Sequence, residues 1–154
     1  MRKRKIKFVV LFVSAGFLFF LAVSNLRVQY NSRRLKQALT SLDAQTVTLN
    51  EIVPFRWDSV YTFDPYLPKE DMENIIGFKS SALCETVSEG MVELVFVKGR
   101  SVVASVCGYP DVLGYYIAFD LGEGCYAKID FKDQAVFDVQ KFENVVRLSC
   151  KPFG

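Results

Sequence analysis

The spacing of apolar and polar residues changes character several times along the chain, and each change predicts a different element. Residues 8–26, FVVLFVSAGFLFFLAVSNL, carry no charge and leave no polar face at a helical period. These nineteen residues, rising 1.5 Å each, would make a helix of about 28 Å, close to the roughly 30 Å hydrocarbon core of a bilayer. A transmembrane helix is the expectation. In residues 27–44, RVQYNSRRLKQALTSLDA, Leu35, Leu39 and Leu42 recur at spacings of four and three. That pattern predicts a short amphipathic helix, read as a solvated stalk whose Arg33, Arg34 and Lys36 lie within reach of headgroups. Thr46–Val53 reads as a short strand or an extended lead-in.

Trp57, Ser59, Tyr61 and Phe63 then alternate with Asp58, Val60, Thr62 and Asp64, which predicts a strand with one aromatic side. Asp64-Pro65 should end it, because proline has no donor for a ladder and aspartate closes turns. A helix follows: Pro68 suits its start, Glu70 and Asp71 its positive first turn, Met72, Ile75 and Ile76 one apolar face, and Gly77 its stop. From Met91 the period is that of strands. Val92–Val97 and Val102–Cys107 flank Lys98-Gly99-Arg100-Ser101, a hairpin signal, and Tyr115–Asp120 and Cys125–Phe131 flank Leu121-Gly122-Glu123-Gly124, a second one. Cys125, Ala127, Ile129 and Phe131 should face the core, as should Val146, Leu148 and Cys150; residues 132–144 fit a short strand or a loop. The expected fold class is α+β: an N-terminal transmembrane helix, then a small domain with a short helix packed on an antiparallel sheet of four or five strands. The corresponding divisions are 1–26 (signal-anchor), 27–44 (juxtamembrane) and 45–154 (extracytoplasmic domain).

Charge fixes the direction of the expected insertion. Arg2, Lys3, Arg4, Lys5 and Lys7 stand immediately before the apolar run, so the amino terminus should stay in the cytoplasm with the remainder across the membrane. A cleaved signal peptide uses the same order of basic and apolar regions, with Ala22 and Ser24 at a possible cut, and would leave the domain secreted or periplasmic. The length of the run, the lack of a polar region before Ser24, and Arg27 just beyond it favour the anchor. From Ser41 onward 10 Lys and Arg face 17 Asp and Glu, a net of −7, which removes the basic stripe that nucleic-acid binding requires.

Cys84, Cys107, Cys125 and Cys150 all follow the apolar run, at gaps of 23, 18 and 25 residues. An even number in an oxidising compartment predicts disulfides, whereas a four-cysteine metal site needs close pairs. In a meander Cys84 enters near where Cys107 leaves, and a last strand antiparallel to Cys125–Phe131 would bring Cys150 beside Cys125. The expected pairs are Cys84–Cys107 and Cys125–Cys150, each worth about 3 kcal/mol.

Histidine is absent, which removes Ser-His and Cys-His nucleophilic pairs, histidine metal sites and the commonest general base. Asp58, Asp64, Glu70 and Asp71 leave a two-carboxylate hydrolase as one reading, beside the simpler one of turn, strand exterior and helix start. Gly122-Glu123-Gly124 lacks the residues that make a phosphate loop, and no cofactor is expected. The remaining signal is aromatic: Trp57, Tyr61, Tyr66, Tyr109, Tyr115 and Tyr116 form a candidate interaction surface, with core packing as the competing reading.

Arg56–Glu70, RWDSVYTFDPYLPKE, contains W-D-x-V-Y-x-F-x-P-Y and in this resembles small bacterial envelope proteins that carry a signal or lipoprotein leader. The likeness covers Trp57–Tyr66 well and the following helix and K-G-R hairpin loosely. It implies a bacterial envelope location and assigns no catalytic residue; this chain differs from the lipoproteins in having no cysteine to lipidate after the apolar run. The preferred function is therefore a non-catalytic protein-recognition domain, of inhibitor, immunity or accessory type, anchored through residues 8–26 and facing a protein partner in the envelope. A carboxylate-dependent hydrolase of an envelope polymer and a small-ligand sensor are the alternatives.

Overall fold

The structure, a computed structural model, describes residues 23, 25–119 and 124–150. The apolar run 8–26 lies almost wholly outside the described residues. Among the described residues no helix is long and apolar enough to cross a membrane.

Two four-stranded sheets face each other. The first has the order β4 (Ser101–Gly108), β3 (Val92–Lys98), β2 (Ser59–Phe63), β6 (Tyr126–Asp130), all antiparallel. The second has the order β1 (Thr46–Thr48), β7 (Val136–Phe142), β8 (Val145–Cys150), β5 (Tyr115–Ala118), antiparallel except where β5 runs parallel to β8. Val60, Leu94, Phe96, Val106 and Ile129 of the first sheet share one buried cluster with Val47, Tyr115, Ile117, Phe137, Val146 and Leu148 of the second. The outer face of the first sheet is covered too: Tyr61, Phe63, Val95 and Val97 lie with Met72 and Ile76 of α3 (Lys69–Ile76) and with Leu83. A strand buried on both faces reads as a continuous apolar run, and β3 does.

The architecture is thus α+β, with the short helix on a four-stranded antiparallel sheet as expected, but with a second sheet in place of a single one. The first hairpin forms between β3 and β4, and Gly77 ends α3 in the left-handed conformation (φ 83°). The second expected hairpin does not form. Tyr115 and Ile117 on β5 and Ile129 on β6 all need burial, and they obtain it across the sandwich from each other instead of side by side. Residues 132–144 resolve into the end of a 3-10 turn (Phe131–Asp133) and β7, which supplies the hairpin partner of β8. Of the expected disulfides, Cys84–Cys107 is present, with Cα atoms 6.2 Å apart. Cys125 and Cys150 are not bonded to one another, because β8 does not lie beside β6: they belong to different sheets.

Residues 25–40 form a helix, α1, but not a solvated stalk, and a single helical turn, α2 (Leu49–Ile52), follows β1. Leu35 and Leu39 are fully buried in the cluster between the sheets, while Val28 joins the outer cluster. Between these contacts α1 crosses β4, the edge strand. A bulge beside Phe96 and Val97 leaves Val103 without a cross-strand partner, and the buried Asn31 donates its Nδ2 to the Val103 carbonyl at 2.8 Å. Ser32 Oγ donates to the Ser105 carbonyl at 2.9 Å and accepts from the Ser105 amide at 3.3 Å. Side chains of a helix thereby occupy the place of a fifth strand.

Replacing Asn31 by Ala strands a buried carbonyl and should lower the unfolding free energy by about 1 to 3 kcal/mol with an unchanged denaturant slope. Equilibrium urea unfolding checks this.

Candidate functional site

The six candidate aromatic residues divide by burial. Trp57, Tyr61 and Tyr115 are 3%, 9% and 1% exposed and belong to the core. Trp57 packs edge-to-face on Phe96 and Phe131, Tyr61 stacks on Phe63, and burial holds the Tyr115 phenol well above the usual tyrosine range. All three are buried, and not on one aromatic side: Trp57, before β2, and Tyr115, on β5 of the second sheet, lie in the cluster between the sheets, whereas Tyr61 and Phe63 of β2 lie in the outer cluster under α3.

Tyr66, Tyr109 and Tyr116 come to one end of the sandwich. There a groove of about 390 Å³ is lined by Phe63, Pro65, Met91, Pro110, Tyr116 and Phe119, among others. The segments next to this lining form its rim: Tyr66 (58% exposed) follows β2, Val87 (73%) precedes β3, and Tyr109 (42%) and Val112 (72%) follow β4. Tyr66 sits at φ 69°, a conformation side chains other than glycine adopt uncommonly, and it is held there from both sides. Its amide donates to the Thr86 carbonyl at 3.0 Å, and its hydroxyl accepts from the Glu89 amide at 3.2 Å. Α short helix, α4 (Pro110–Leu113), carries Val112 and ends at Gly114, where φ is 82° and an added Cβ would meet the Thr40 side chain.

The rim is acidic. Residues 62–68, 84–92 and 108–119 include Asp64, Glu85, Glu89 and Asp111 and no Lys or Arg. From outside these segments Lys36 of α1 donates to the Val112 carbonyl at 3.3 Å, and the Arg147 guanidinium of β8 lies 5.7 Å from the ring centre of Tyr116.

The carboxylates named as a hydrolase pair do not converge. Asp58 stands before β2 and Asp64 after it, a separation of about 20 Å along the strand, far beyond the roughly 5 to 9.5 Å that glycosidic chemistry uses. Asp58 accepts from the Gly99 amide at 2.7 Å and pairs with Lys98 at 3.6 Å, which pins the β3–β4 turn. Asp64 closes the turn after β2, and Glu70 and Asp71 occupy the first turn of α3. Among the described residues no group of three or more acidic or cysteine side chains is placed to hold a metal ion. The space between α3 and its sheet is filled by Met72 and Ile76, where a sensor would need a pocket.

One functional group escaped the sequence reading. Glu93 of β3 is 1% exposed, directly opposite Cys107 in the ladder. Its Oε1 accepts from the Cys84 amide at 3.0 Å, and its Oε2 is buried with no hydrogen-bond partner. Desolvation, aided by the nearby Glu85 and opposed by the Cys84 amide and Lys69, pushes its carboxyl up from 4.5 to about 7. The signal was present: alternation in VELVFVK puts Glu93 on the face of Val95 and Val97, a charge at an apolar parity.

No protein-family model matches the chain, and comparisons with curated proteins and with solved structures give no match.

The raised Glu93 carboxyl sets a pH dependence. Between its ordinary pKa and its folded one, the folded chain holds a proton that the unfolded chain has lost, so stability is full below 4.5 and falls as pH rises through about 7. The shift corresponds to a loss of about 3 kcal/mol, at 1.36 kcal/mol per pKa unit. Glu93→Gln should remove this decline. Urea unfolding of both proteins between about pH 5 and about pH 8 isolates it from the other carboxylates.

Proposed function

We propose that the chain is a non-catalytic protein-recognition domain of the bacterial envelope, of inhibitor, immunity or accessory type, tethered to the membrane by residues 8–26 with the amino terminus in the cytoplasm. In this reading the domain begins with α1, because Leu35 and Leu39 are core residues.

The observation that carries the reading is the rim of the groove. Tyr66, Val87, Tyr109 and Val112 hold large apolar surface in water on the segments that flank the groove's lining. Scattered exposed apolar residues are ordinary, but four on the segments flanking one groove, one of them in a conformation maintained by two hydrogen bonds, fit a preformed contact surface. Tyrosine suits such a role because it offers a rigid apolar body and a polar tip. The acidic rim favours a cationic partner and speeds encounter with it.

A photo-crosslinking residue placed at Tyr66 or at Tyr109 in the full chain, in native membranes, should give the same discrete adduct, weakened by high salt. The same residue at Arg100, on the turn at the opposite end of the sandwich, should not give it. Identical adducts from all three positions, or none from the rim, would remove the support for this function. Tyr109→Ala should weaken the captured complex about fivefold or more with no change in melting temperature.

A further inference from the structure

The Cys84–Cys107 bond lies in a setting that a purely structural crosslink does not require. Both cysteines are only half-buried and line a surface hollow of about 370 Å³, together with Asn25, Val28 and Gln29 of α1, Ser81, Ala82 and Ser105. Beneath them lies Glu93. Cys107 and Glu93 are directly opposed in the antiparallel ladder and so point to the same face, with Cβ atoms about 5 Å apart. The carboxyl reaches back to the Cys84 amide through Oε1, leaving Oε2 buried and unpartnered. Strand alternation puts Glu93 on the face of Val95, which belongs to the apolar outer cluster with Phe63 and Leu83, and the charged groups acting on it are Glu85 from the adjoining loop and Lys69 from α3. A buried polar atom without a partner is rare and calls for a reason, such as redox or proton-transfer work.

We infer that Cys84–Cys107 is a thiol–disulfide exchange site that takes a dithiol as its substrate, with Glu93 as the proton donor to the leaving sulfur. A thiolate of the dithiol enters the hollow and attacks Cys84 Sγ; a sulfur–sulfur bond forms there as the Cys84–Cys107 bond breaks. Cys107 leaves as a thiolate beside Glu93 and takes the proton from Oε2. The second thiolate of the dithiol then attacks its own partner sulfur in the mixed disulfide, expelling Cys84, which takes a proton from water. The dithiol is oxidised to a disulfide, the protein disulfide is reduced to two thiols, and water restores the Glu93 proton. In reverse the same steps oxidise the cysteines. The activity is independent of the groove at the other loops' rim, and neither requires the other to be true.

Dithiothreitol is the probe. The oxidised full chain in detergent is reduced under native conditions from about pH 5 to about pH 9, rates are divided by the reagent's thiolate concentration, and loss of the bond is followed by alkylation and mass. The normalised rate should be proportional to reagent concentration and should fall about tenfold or more as pH rises through the Glu93 transition. Glu93→Gln should react slowly with no such inflection, while its circular dichroism matches the parent. A rate independent of reagent concentration, which marks reduction only after unfolding, or a parent profile with no inflection, overturns the proposal. Should Glu93→Gln fail to fold, the parent's concentration dependence and pH profile decide the matter on their own.

Discussion

The fold depends on how the edge of one sheet is closed. Among the described residues β4 has β3 on one side and no strand on the other, and a bulge leaves Val103 out of the ladder. A bare edge would leave backbone groups beside apolar cores without partners, or recruit a strand from another molecule. α1 prevents both with Asn31 and Ser32. At about 100° per residue Val28, Asn31, Ser32, Leu35 and Leu39 share one helical stripe. Because α1 crosses the edge at Asn31 and Ser32, the stripe before that pair meets one layer and the stripe after it the other. Val28 enters the outer cluster and Leu35 and Leu39 the inner one. One helix therefore seals an edge and contributes to both hydrophobic layers, and it is the element directly after the apolar run. If that run crosses a bilayer, the domain is fixed to it by a core helix, with no flexible stalk between.

What the sequence made legible was local. The capping of α3 by Pro68 and Gly77, the turn at Asp64-Pro65 and the β3–β4 hairpin follow from residues a few positions apart, and all three are present. Nothing local distinguishes a hairpin from two strands that face each other across a sandwich, since both need one apolar side. Tyr115, Ile117 and Ile129 satisfied either arrangement, and the pairing expected for Cys125 and Cys150 failed with that choice. The stalk reading of α1 failed for a related reason: three leucines at helical spacing say that a face is apolar, not what covers it. The candidate site was legible in half. Alternation puts Trp57 and Tyr61 on one side of a strand, but Trp57 precedes β2 and enters the inner cluster while Tyr61 enters the outer one, whereas Tyr66 and Tyr109, beside prolines in turns, are exposed as such positions usually are.

The acidity of the domain also has a structural share. The segment between α3 and β3 contains no helix or strand, yet much of it is fixed, and acidic side chains do much of the fixing. Glu73 Oε1 accepts from the Ser80 amide at 2.9 Å, Glu85 Oε1 from the Lys69 amide at 2.7 Å, and Glu93 Oε1 from the Cys84 amide. Carboxylates replace the ladder acceptors that an irregular segment lacks. Glu93 lies in an apolar layer, where desolvation outweighs the single hydrogen bond and pushes its carboxyl up to about 7.

The same segment connects the two sites. Cys84 carries the disulfide, Thr86 accepts the hydrogen bond from Tyr66, and Val87 stands on the rim of the groove, all within four residues. The left-handed Tyr66 persists only while its partners on this loop stay in place, because a residue in a sparsely populated conformation needs surroundings that over-determine it. Breaking Cys84–Cys107 would remove the covalent tie two residues before Thr86 and leave the hydrogen bonds that Glu93 accepts from the Cys84 amide and Glu85 accepts from the Lys69 amide to hold the loop. What the two sites share is this one short segment: the bond at Cys84 and the contact at Thr86 that holds Tyr66 lie two residues apart, so the covalent tie and the left-handed turn each limit the freedom of the same backbone.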